Sequence, residues 1–211
     1  MAEKPVVARF VAIEGSEGVG KSTQITHLIQ WLQDQQIDVV QTREPGGSPA
    51  AEAIRAIAID PTYKSMPDKA EVLLMFAARA DHVENTIRPA LARGAWVVSD
   101  RFTEASYAYQ GAGRQIGSET IEWLERFVLG DFRPDLTIVL TLDRQVADGR
   151  VIARGQKDRI EVAGEDFYRR VEQAYLDRAA LNAERTVIID ASGTAEAVHQ
   201  RIIAAVQEYL F

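Results

Sequence analysis

The sequence contains no cysteine, which excludes a disulfide framework, a thiolate metal site and thiol-based catalysis. It has no apolar run of the roughly 18 residues that a membrane-spanning helix needs. The first residues, MAEKPVVARF, lack the long apolar stretch of a signal peptide. Basic residues are outnumbered, with 24 Lys and Arg against 31 Asp and Glu and a net charge of −7. Such a chain is poorly suited to nucleic acid or anionic membranes, so we expect a cytoplasmic protein with neither as a partner.

The chain length and composition fit a single domain. It has 211 residues, of which 46% are hydrophobic, enough for one sizeable core. We find no low-complexity tract and no repeat of roughly 20 to 50 residues. We therefore treat residues 1–211 as one domain.

Short apolar or β-branched runs alternate with longer segments of helical periodicity. Runs such as LTIVLTL are apolar almost throughout, which is typical of strands buried on both faces of a parallel sheet. The predicted strands are 10–14, 37–42, 96–99, 136–142 and 186–190. The predicted helices are 21–33, 49–59, 68–92, 118–129, 164–183 and 195–209. This alternation predicts a doubly wound α/β domain, in which ligands bind at the carboxyl ends of the strands.

The stretch GSEGVGKS follows the first predicted strand and fits the phosphate-binding pattern G-x-x-x-x-G-K-[ST]. A glycine-rich turn without function is the alternative, but the position between a buried strand and a helix favours a phosphate-binding loop, or P-loop. Lys21 would reach the β- and γ-phosphates, and the Ser22 hydroxyl would bind Mg²⁺. The predicted ATP-binding segment comprises Gly15, Ser16, Glu17, Gly18, Val19, Gly20, Lys21, Ser22 and Thr23.

Arginines follow the next two strands, in TREPGG and SDRF. Arg43 and Arg101 would each lie at the ligand edge of the sheet, where a guanidinium matches the geometry of phosphate. Either one alone could be a solvated surface residue, but two beside a P-loop favour a second anion site. Asp100 could hold Mg²⁺ through water, or could cap the helix that follows.

Two later segments have both a functional and a structural interpretation. In YAYQGAGRQ, Tyr109 and Gln110 suit recognition of a nucleoside, but equally an ordinary helix end before a glycine turn. The segment of about 144–165 concentrates Arg150, Arg154 and Arg159 between glycines. A solvated face is the usual meaning of such a charge run, but the flanking glycines favour a mobile basic lid.

These motifs together resemble the thymidylate kinases, which transfer the γ-phosphate of ATP to dTMP. The resemblance is carried by GSEGVGKST, TREPGG, KAEVLLMFAAR, SDRF, AYQGAGR, GDFRPDLTIVLTLD and ARGQKDRIE, in that order, from about residue 10 to residue 175. It implies a P-loop NTPase-type fold with a five-stranded parallel sheet and a short mobile lid. It also implies dTMP and ATP as substrates, Mg²⁺ as cofactor, a role in dTTP biosynthesis and a homodimer packed through helices 68–92 and 118–129.

The resemblance also assigns roles to single residues. Arg101 would bind the dTMP phosphate with Arg43 nearby, and Asp100 would lie near the metal and phosphates. Arg79 would donate to a thymine carbonyl, with Ser106 and Gln110 against the base and Tyr109 against the sugar. Glu17 would face the sugar 3′-hydroxyl. A cis peptide is expected before Pro45, and either Met75 or Phe76 would pack on the base.

Family members differ in where the catalytic arginine lies. Some carry it in the P-loop, at the position that Gly18 occupies here, and others carry basic residues in the lid. This chain is similar to the second group. The resemblance therefore assigns transition-state charge stabilisation to Arg154, supported by Arg150 and Arg159, beside Lys21 and Arg101.

A phosphate acceptor needs no general base, and we expect His27, His82 and His199 to lie on the surface. Two other functions stay open. A deoxynucleoside kinase would need a carboxylate base after the second strand, where Glu44 stands. A P-loop switch or assembly ATPase would need no acceptor site, which leaves the arginines unexplained.

Overall fold

The computed structural model describes residues 7–155, 159–160 and 164–211, with side chains for all of these except Ala153 and Arg154. Five strands form one parallel sheet in the order β2-β3-β1-β4-β5. The strands are β1 (Phe10–Glu14), β2 (Val39–Arg43), β3 (Trp96–Asp100), β4 (Leu136–Thr141) and β5 (Thr186–Asp190). The predicted α/β fold is confirmed, and because all strands run the same way, their carboxyl ends share one edge.

Helices cover both faces of the sheet. They are α1 (Lys21–Asp34), α2 (Pro49–Ile59), α3 (Asp68–His82), α4 (Arg88–Ala92), α5 (Thr103–Ser106), α6 (Ser118–Leu129), α7 (Arg144–Arg154), α8 (Glu165–Leu181) and α9 (Ala195–Leu210). None of the helices within the described residues is long and apolar enough to cross a membrane.

The central strand β1 shows how the two helical layers are built. Its side chains alternate between the two faces of the sheet, as a strand requires. Val11 and Ile13 pack among residues of α1 and α9, whereas Phe10 and Ala12 pack against the helical segment 83–92. All five residues of β1 are buried, so the strand that leads into the P-loop is fixed on both sides.

The single helix predicted over 68–92 is interrupted. A π-helical turn, Val83–Ile87, separates α3 from α4. Pro89 lies in the first turn of α4 and has no N–H to donate to the preceding turn, and π-turns in long helices are a common response to such a defect. The interruption lies just after His82, beside the site described below.

Two helical segments at the ligand edge had no predicted bounds, although a helix after Asp100 was one interpretation of the sequence. α5 continues into a π-helical turn, Tyr107–Gly113, which carries Tyr109 and Gln110. α7 begins at the cap Asp143, whose carboxylate accepts hydrogen bonds from the N–H groups of Gln145 and Val146. We define the lid as residues 144–165. Its amino-terminal part is the helix α7.

Candidate active site

The loop between β1 and α1 has the backbone geometry of a phosphate-binding loop. Gly15, Gly18 and Gly20 have φ values of 133°, 81° and 99°, which other residues adopt only with strain. A β-carbon at Gly15 would lie 2.5 Å from the Leu140 carbonyl oxygen, so the close approach to β4 also requires glycine. Val19 anchors the loop in the core, and α1 directs its amino terminus at the loop.

Lys21 is held against this loop. Its Nζ donates hydrogen bonds to the carbonyl oxygens of Gly15 and Ser16, each at 3.0 Å. Burial, and then the nearby Arg101 guanidinium, lower the pKa of Lys21 to about 8 from an ordinary value of 10.5. A bound anion would raise the pKa of Lys21 again, because its negative charge would stabilise the buried ammonium group.

A cavity of about 380 Å³ opens beside the loop at the carboxyl ends of β1, β2 and β3. It is lined by residues from both halves of the predicted site. Those predicted from the sequence are Glu17, Gly18, Gly20, Lys21, Ser22, Thr23, Arg43, Pro45, Met75, Arg79, Asp100, Arg101, Ser106, Tyr109, Gln110 and Arg150. One continuous space therefore connects the P-loop with the arginines that follow β2 and β3.

Arg101 lies at the centre of this space. Its Nη1 donates to the Gly15 carbonyl at 2.9 Å and to the Tyr175 hydroxyl at 3.0 Å. Its Nη2 donates to a Glu17 carboxylate oxygen at 2.8 Å. The backbone of Arg101 has φ 73°, a left-handed conformation that is uncommon outside glycine. The bonds from the P-loop hold the residue in this conformation and aim its guanidinium across the cavity.

Glu17 is turned toward the part of the cavity that contains Arg101 and Tyr109. Both its oxygens accept from the Tyr109 hydroxyl at 2.8 Å, in addition to the bond from Arg101. Burial would raise the pKa of Glu17, but the Arg101 guanidinium and the Lys21 ammonium outweigh burial and lower it. Glu17 is therefore an anion that links the P-loop to Arg101.

A second carboxylate lies beneath Arg101. Glu14 is fully buried and accepts from the Phe102 N–H at 2.7 Å and the Tyr175 hydroxyl at 2.9 Å. Burial raises the pKa of Glu14 to about 7, even though the Arg101 guanidinium acts in the opposite direction. This group titrates near neutral pH and lies directly behind the site.

A buried network supports Arg79, which lines the cavity from α3. Arg79 Nε donates to Glu44 Oε2 at 2.7 Å, and the other Glu44 oxygen lies 3.1 Å from His82 Nδ1. His82 Nε2 lies 2.6 Å from the Thr42 hydroxyl oxygen. Arg79 Nη1 is buried without a hydrogen-bond partner among the described residues. A carbonyl oxygen of a ligand could satisfy that donor, since unpaired buried donors are rare.

The expectation that the three histidines lie on the surface is wrong for His82 and His199, whereas His27 is partly exposed. His82 is fully buried in the network around Glu44, and His199 is 8% exposed. The His27 and His199 rings pack edge to face with centroids 5.3 Å apart. No described histidine lines the cavity, however, so none acts directly on a ligand there.

The turn after β2 contains the expected cis peptide, Glu44-Pro45. The Pro45 carbonyl accepts from Arg55 Nη1 at 2.8 Å, and Arg55 lines the cavity from α2. Arg43 also lines the cavity, with its Nη2 paired to Glu52 at 2.8 Å. The sequence analysis did not identify Arg55, because its helix carries no motif. The available signal was its position nearly two turns into the helix that follows TREPGG.

Met75 lines the cavity, and Phe76 does not. Phe76 is 2% exposed and packs in a core cluster with Val72 and Tyr107. Adjacent residues of a helix point about 100° apart, so α3 can present only one of them to the cavity. The proposal that Phe76 packs on a base is therefore corrected. Its ring instead supports the Arg79 guanidinium, whose carbon lies 4.7 Å from the ring centre.

The lid helix α7 packs directly on the P-loop. A β-carbon at Gly18 would lie 2.2 Å from the Ala147 carbonyl oxygen, and Arg150 Nη1 donates to the Gly18 carbonyl at 3.3 Å. Arg154, which the resemblance assigns to charge stabilisation, has its backbone in α7 but its side chain lies outside the described part of the structure.

Arg159 does not join Arg150 at the P-loop. It is 7% exposed, does not line the cavity, and bonds to residues of α2 and α3. The assignment of Arg159 to charge stabilisation is therefore corrected for this conformation, because its guanidinium is buried in contacts with a carbonyl and a carboxylate.

Ser22 and Asp100 line a common recess at the end of β3, next to the P-loop. Asp100 Oδ1 is buried without a hydrogen-bond partner among the described residues. These are hard oxygen donors of the kind that Mg²⁺ prefers. No group of three or more His, Cys, Asp or Glu residues within the described ranges forms a cage for a metal ion. The donor set fits an ion that a nucleotide brings to the site, because Mg²⁺ commonly binds one or two protein groups plus phosphates.

Comparisons with known proteins agree with this geometry. A family model described as thymidylate kinase matches residues 13–202. A thymidylate kinase of Pseudomonas entomophila (strain L48) is 50% identical over 195 residues, covering 92% of this chain and 93% of the relative. One from Chromohalobacter salexigens is 48% identical over 204 residues, covering 96% of each chain.

Among solved structures, the crystal structure of thymidylate kinase from Ehrlichia chaffeensis superposes with a TM-score of 0.78 at 29% identity. The superposition covers 95% of this chain and 98% of that one. Sequence match, fold and site geometry agree over nearly the whole length, and the chain belongs to the thymidylate kinase family.

Proposed function

We propose that this protein transfers the γ-phosphoryl group of ATP to dTMP, giving dTDP and ADP in the route to dTTP, in the cytoplasm. The observation that carries the proposal is the single cavity that joins the P-loop to a second arginine-lined half. A protein that only hydrolyses ATP has no use for the second half. Family membership supports the same reaction.

The donor half would hold ATP through the P-loop. Backbone N–H groups of the loop and the amino terminus of α1 suit the phosphates, and Lys21 supplies a positive charge. Lys21 now bonds to two loop carbonyls, so nucleotide binding exchanges these partners for phosphate oxygens. The cost of that exchange is small, because the ammonium group is already in place.

The acceptor half would hold dTMP between the sheet edge and α3. Arg101 and Arg43 would bind its phosphate, and Glu17 and Tyr109 would face the sugar. Arg79, Ser106 and Gln110 would contact the base, with Met75 as an apolar platform. The buried, unpaired Nη1 of Arg79 supports the assignment of a carbonyl partner to this residue.

Ser22 and Asp100 would hold Mg²⁺, Asp100 through water. When bound, the ion neutralises phosphate charge and acts as a Lewis acid. The unpaired Asp100 oxygen and the recess it shares with Ser22 support this assignment.

The chain's own contribution to the reaction is mainly electrostatic. An oxygen of the acceptor phosphate bonds to the γ-phosphorus while the bond from that phosphorus to the bridging oxygen breaks, and ADP leaves with the electron pair. Two unit charges about 4 Å apart repel by about 4 kcal/mol at an effective dielectric constant near 20. Lys21, Arg101 and Arg150 would offset this repulsion, together with Arg154. The acceptor is already an anion, so no general base is needed.

The rival deoxynucleoside kinase is less well supported. Its base would be Glu44, but both Glu44 oxygens are engaged, one with Arg79 and the other with His82. Glu44 lines the cavity but is only 6% exposed, and its carboxylate already holds two buried partners. The same network is well suited to hold Arg79 in place instead.

We propose a homodimer that packs through α3 and α6, which lie within the helices 68–92 and 118–129 that the family resemblance implies. Trp123 and Phe127 are 64% and 75% exposed on α6, and their rings stack with centroids 5.5 Å apart. Leu73 on α3 is 57% exposed. Apolar groups of this size on neighbouring helices favour an interface. Sedimentation of Phe127→Glu should show a monomer where the unmodified chain sediments as a dimer.

The function is tested by ATP consumption with dTMP, with thymidine and with no acceptor. We expect turnover only with dTMP and formation of dTDP. Arg101→Ala should weaken capture of dTMP, and a variant with unaltered dTMP affinity would contradict the acceptor site. Turnover without an acceptor would indicate a switch ATPase, and turnover only with thymidine a nucleoside kinase.

A further inference from the structure

We propose that Arg159 is a positioning residue that anchors the carboxyl-terminal side of the lid to the acceptor half of the cavity, through its buried ion pair with Glu71. The proposal rests on the proposed dTMP site and assigns to Arg159 a role other than charge stabilisation. The Glu71 carboxylate is fully buried and faces Arg159 of the lid. Neither the P-loop nor the arginines Arg43 and Arg101 account for this contact.

The ion pair is excluded from water. Arg159 Nη2 lies 2.8 Å from Glu71 Oε2, and their side chains are 6% and 0% exposed. The two atoms meet without the alignment of a hydrogen bond, so the attraction between them is mainly that of two charges. Removing Glu71 would take the carboxylate away from the buried Arg159 guanidinium, which is strongly unfavourable, whereas removing Arg159 would leave Glu71 with Arg114 as a cationic neighbour.

Arg159 is also attached to the end of α2. Its backbone N–H donates to the Ile59 carbonyl at 3.2 Å, and its Nε donates to the Ala58 carbonyl at 2.9 Å. The last carbonyls of a helix have no partner within the helix and carry partial negative charge. A guanidinium is a suitable cap for them. Arg159 therefore joins the lid to α2 and α3 at once.

Glu71 connects this anchor to the base side of the cavity. Its Oε1 accepts from Gln110 Nε2 at 2.8 Å, and its Oε2 lies 3.2 Å from Arg114 Nη2. Gln110 lines the cavity and is expected to contact the base. The same carboxylate thus orients a residue of the base site and holds the lid.

The neighbours of Arg159 line the cavity too. Ile160 follows Arg159 in the chain, and the Ile59 carbonyl accepts the hydrogen bond from the Arg159 N–H. Both isoleucines line the cavity. When Arg159 is held by Glu71, Ile160 is held beside the acceptor site. We infer that the lid has a fixed side at Arg159, while α7 meets the P-loop on the other side.

The test is a double-mutant cycle on dTMP binding, measured by calorimetry without ATP. We expect Arg159→Gln and Glu71→Gln each to weaken dTMP binding by about tenfold or more, and the double variant to lose no more than the worse single variant. Binding of ATP should change by no more than about twofold, because the P-loop contacts are untouched. Arg169→Gln, which removes an exposed arginine of α8, is the matched control and should bind dTMP like the unmodified chain.

Steady-state kinetics separates positioning from charge stabilisation. A positioning role raises KM for dTMP more than it lowers kcat, and Arg159→Lys, which keeps the charge, should restore part of the affinity. If Arg159→Gln does not fold, Arg159→Lys with Glu71→Gln provides the cycle. A kcat loss near 10³ with unchanged dTMP affinity would overturn the proposal, since that is the effect of a transition-state arginine. The proposal would also be overturned if the double variant lost as much dTMP affinity as the two single variants together.

The outcomes also distinguish this proposal from the proposed function. If the unmodified chain binds dTMP but does not phosphorylate it, the proposed function fails while the cycle on binding still tests the anchor. If dTMP is phosphorylated and the single variants bind it normally, the anchor fails and the function stands.

Discussion

Glu17 and Arg101 are bonded to each other, with Arg101 Nη2 donating to a Glu17 carboxylate oxygen at 2.8 Å. One residue belongs to the loop after β1 and the other follows β3. The pair therefore connects the P-loop to the residue that follows β3 at the edge of the cavity. An acid inside a phosphate-binding loop is unexpected, and this bond turns the carboxylate toward Arg101, to which we assign the dTMP phosphate.

Glu17→Gln should impair the use of dTMP more than the binding of ATP. The amide keeps the size of the side chain but loses the charge that holds Arg101, so we expect KM for dTMP to rise about tenfold. ATP affinity, measured by calorimetry, should change much less. Glu208→Gln on the exposed face of α9 is the control. Equal losses for both nucleotides would contradict the assignment of Glu17 to the acceptor side.

Glu44→Gln should destabilise the protein and weaken dTMP binding together. Glu44 is the buried partner of Arg79, and removing its charge leaves the guanidinium uncompensated, at a cost of about 3 kcal/mol. Glu84→Gln breaks an exposed pair with Arg88 and should cost less than about 1 kcal/mol. Urea unfolding of both variants measures the difference. Similar free energies of unfolding for the two would show that the Glu44 network contributes little.

The pH dependence of stability should carry the signature of Glu14. The pKa of Glu14 is raised by burial from 4.5 to about 7 in the folded protein, so folding favours the protonated form. The stability this provides is fully present below pH 4.5 and is lost as the pH rises through about 7. The loss is of the order of 3 kcal/mol, from about 1.4 kcal/mol per pKa unit.

Glu14→Gln should remove this dependence. The difference in unfolding free energy between variant and unmodified chain should shift in favour of the variant between pH 5 and pH 8, and then stay constant. Comparing the two proteins at each pH cancels titrating groups that do not interact with Glu14, and measurements below pH 7 keep clear of the titration of Lys21, whose pKa is about 8. A difference that does not change with pH would mean that Glu14 is ionised throughout.

Gly18→Ala and Gly94→Ala form a matched pair that tests the contact between lid and P-loop. Both glycines have positive φ, 81° and 88°, but only at Gly18 would a β-carbon meet another element, the Ala147 carbonyl of α7. Both variants should lose about 1 kcal/mol of stability from backbone strain. Gly18→Ala should in addition lower kcat by at least about tenfold, because α7 and Arg150 must move away. Equal kcat for the two variants would argue against a role for this contact.

Arg154→Ala should lower kcat strongly and leave KM for dTMP nearly unchanged. Arg154 lies four residues after Arg150 in α7, so the two share a helix face, and Arg150 reaches the Gly18 carbonyl. An arginine on the transferring group in related P-loop enzymes contributes about 10³ to 10⁵ in rate. Steady-state kinetics with both substrates checks this. An unchanged kcat would remove Arg154 from the mechanism.

The elements nearest the P-loop could be predicted from the sequence, because their signals are local. The first four residues of β1 form a continuous apolar run that ends at Glu14, and the loop pattern follows directly. The strand after α1 was predicted two residues early. Ile37 is apolar, but its N–H closes the end of α1 by bonding to the Leu32 carbonyl.

The parts that could not be predicted depend on contacts between distant residues. Glu71 and Arg159 lie 88 positions apart, and the hydrophobic periodicity around either residue does not indicate that they pair. His82 was expected on the surface because it is polar, but the carboxylate and hydroxyl that make its burial favourable come from β2 and the turn that follows it. The choice between Met75 and Phe76 depended on how α3 is rotated, and the Phe76 pocket is formed partly by Tyr107.

The pairing of β1 with β3 has a consequence for how such a protein can change. Ile13 pairs with Asp100, and the Arg101 N–H bonds to the Ile13 carbonyl at 2.9 Å. The P-loop and Arg101 are thus carried by neighbouring strands, whose separation is set by the backbone at about 4.8 Å. With the proposed site assignments, substitutions in α3 or the lid would alter which base is accepted without altering the spacing between the two phosphate sites. Substrate preference and transfer geometry are therefore separable traits, open to selection one at a time.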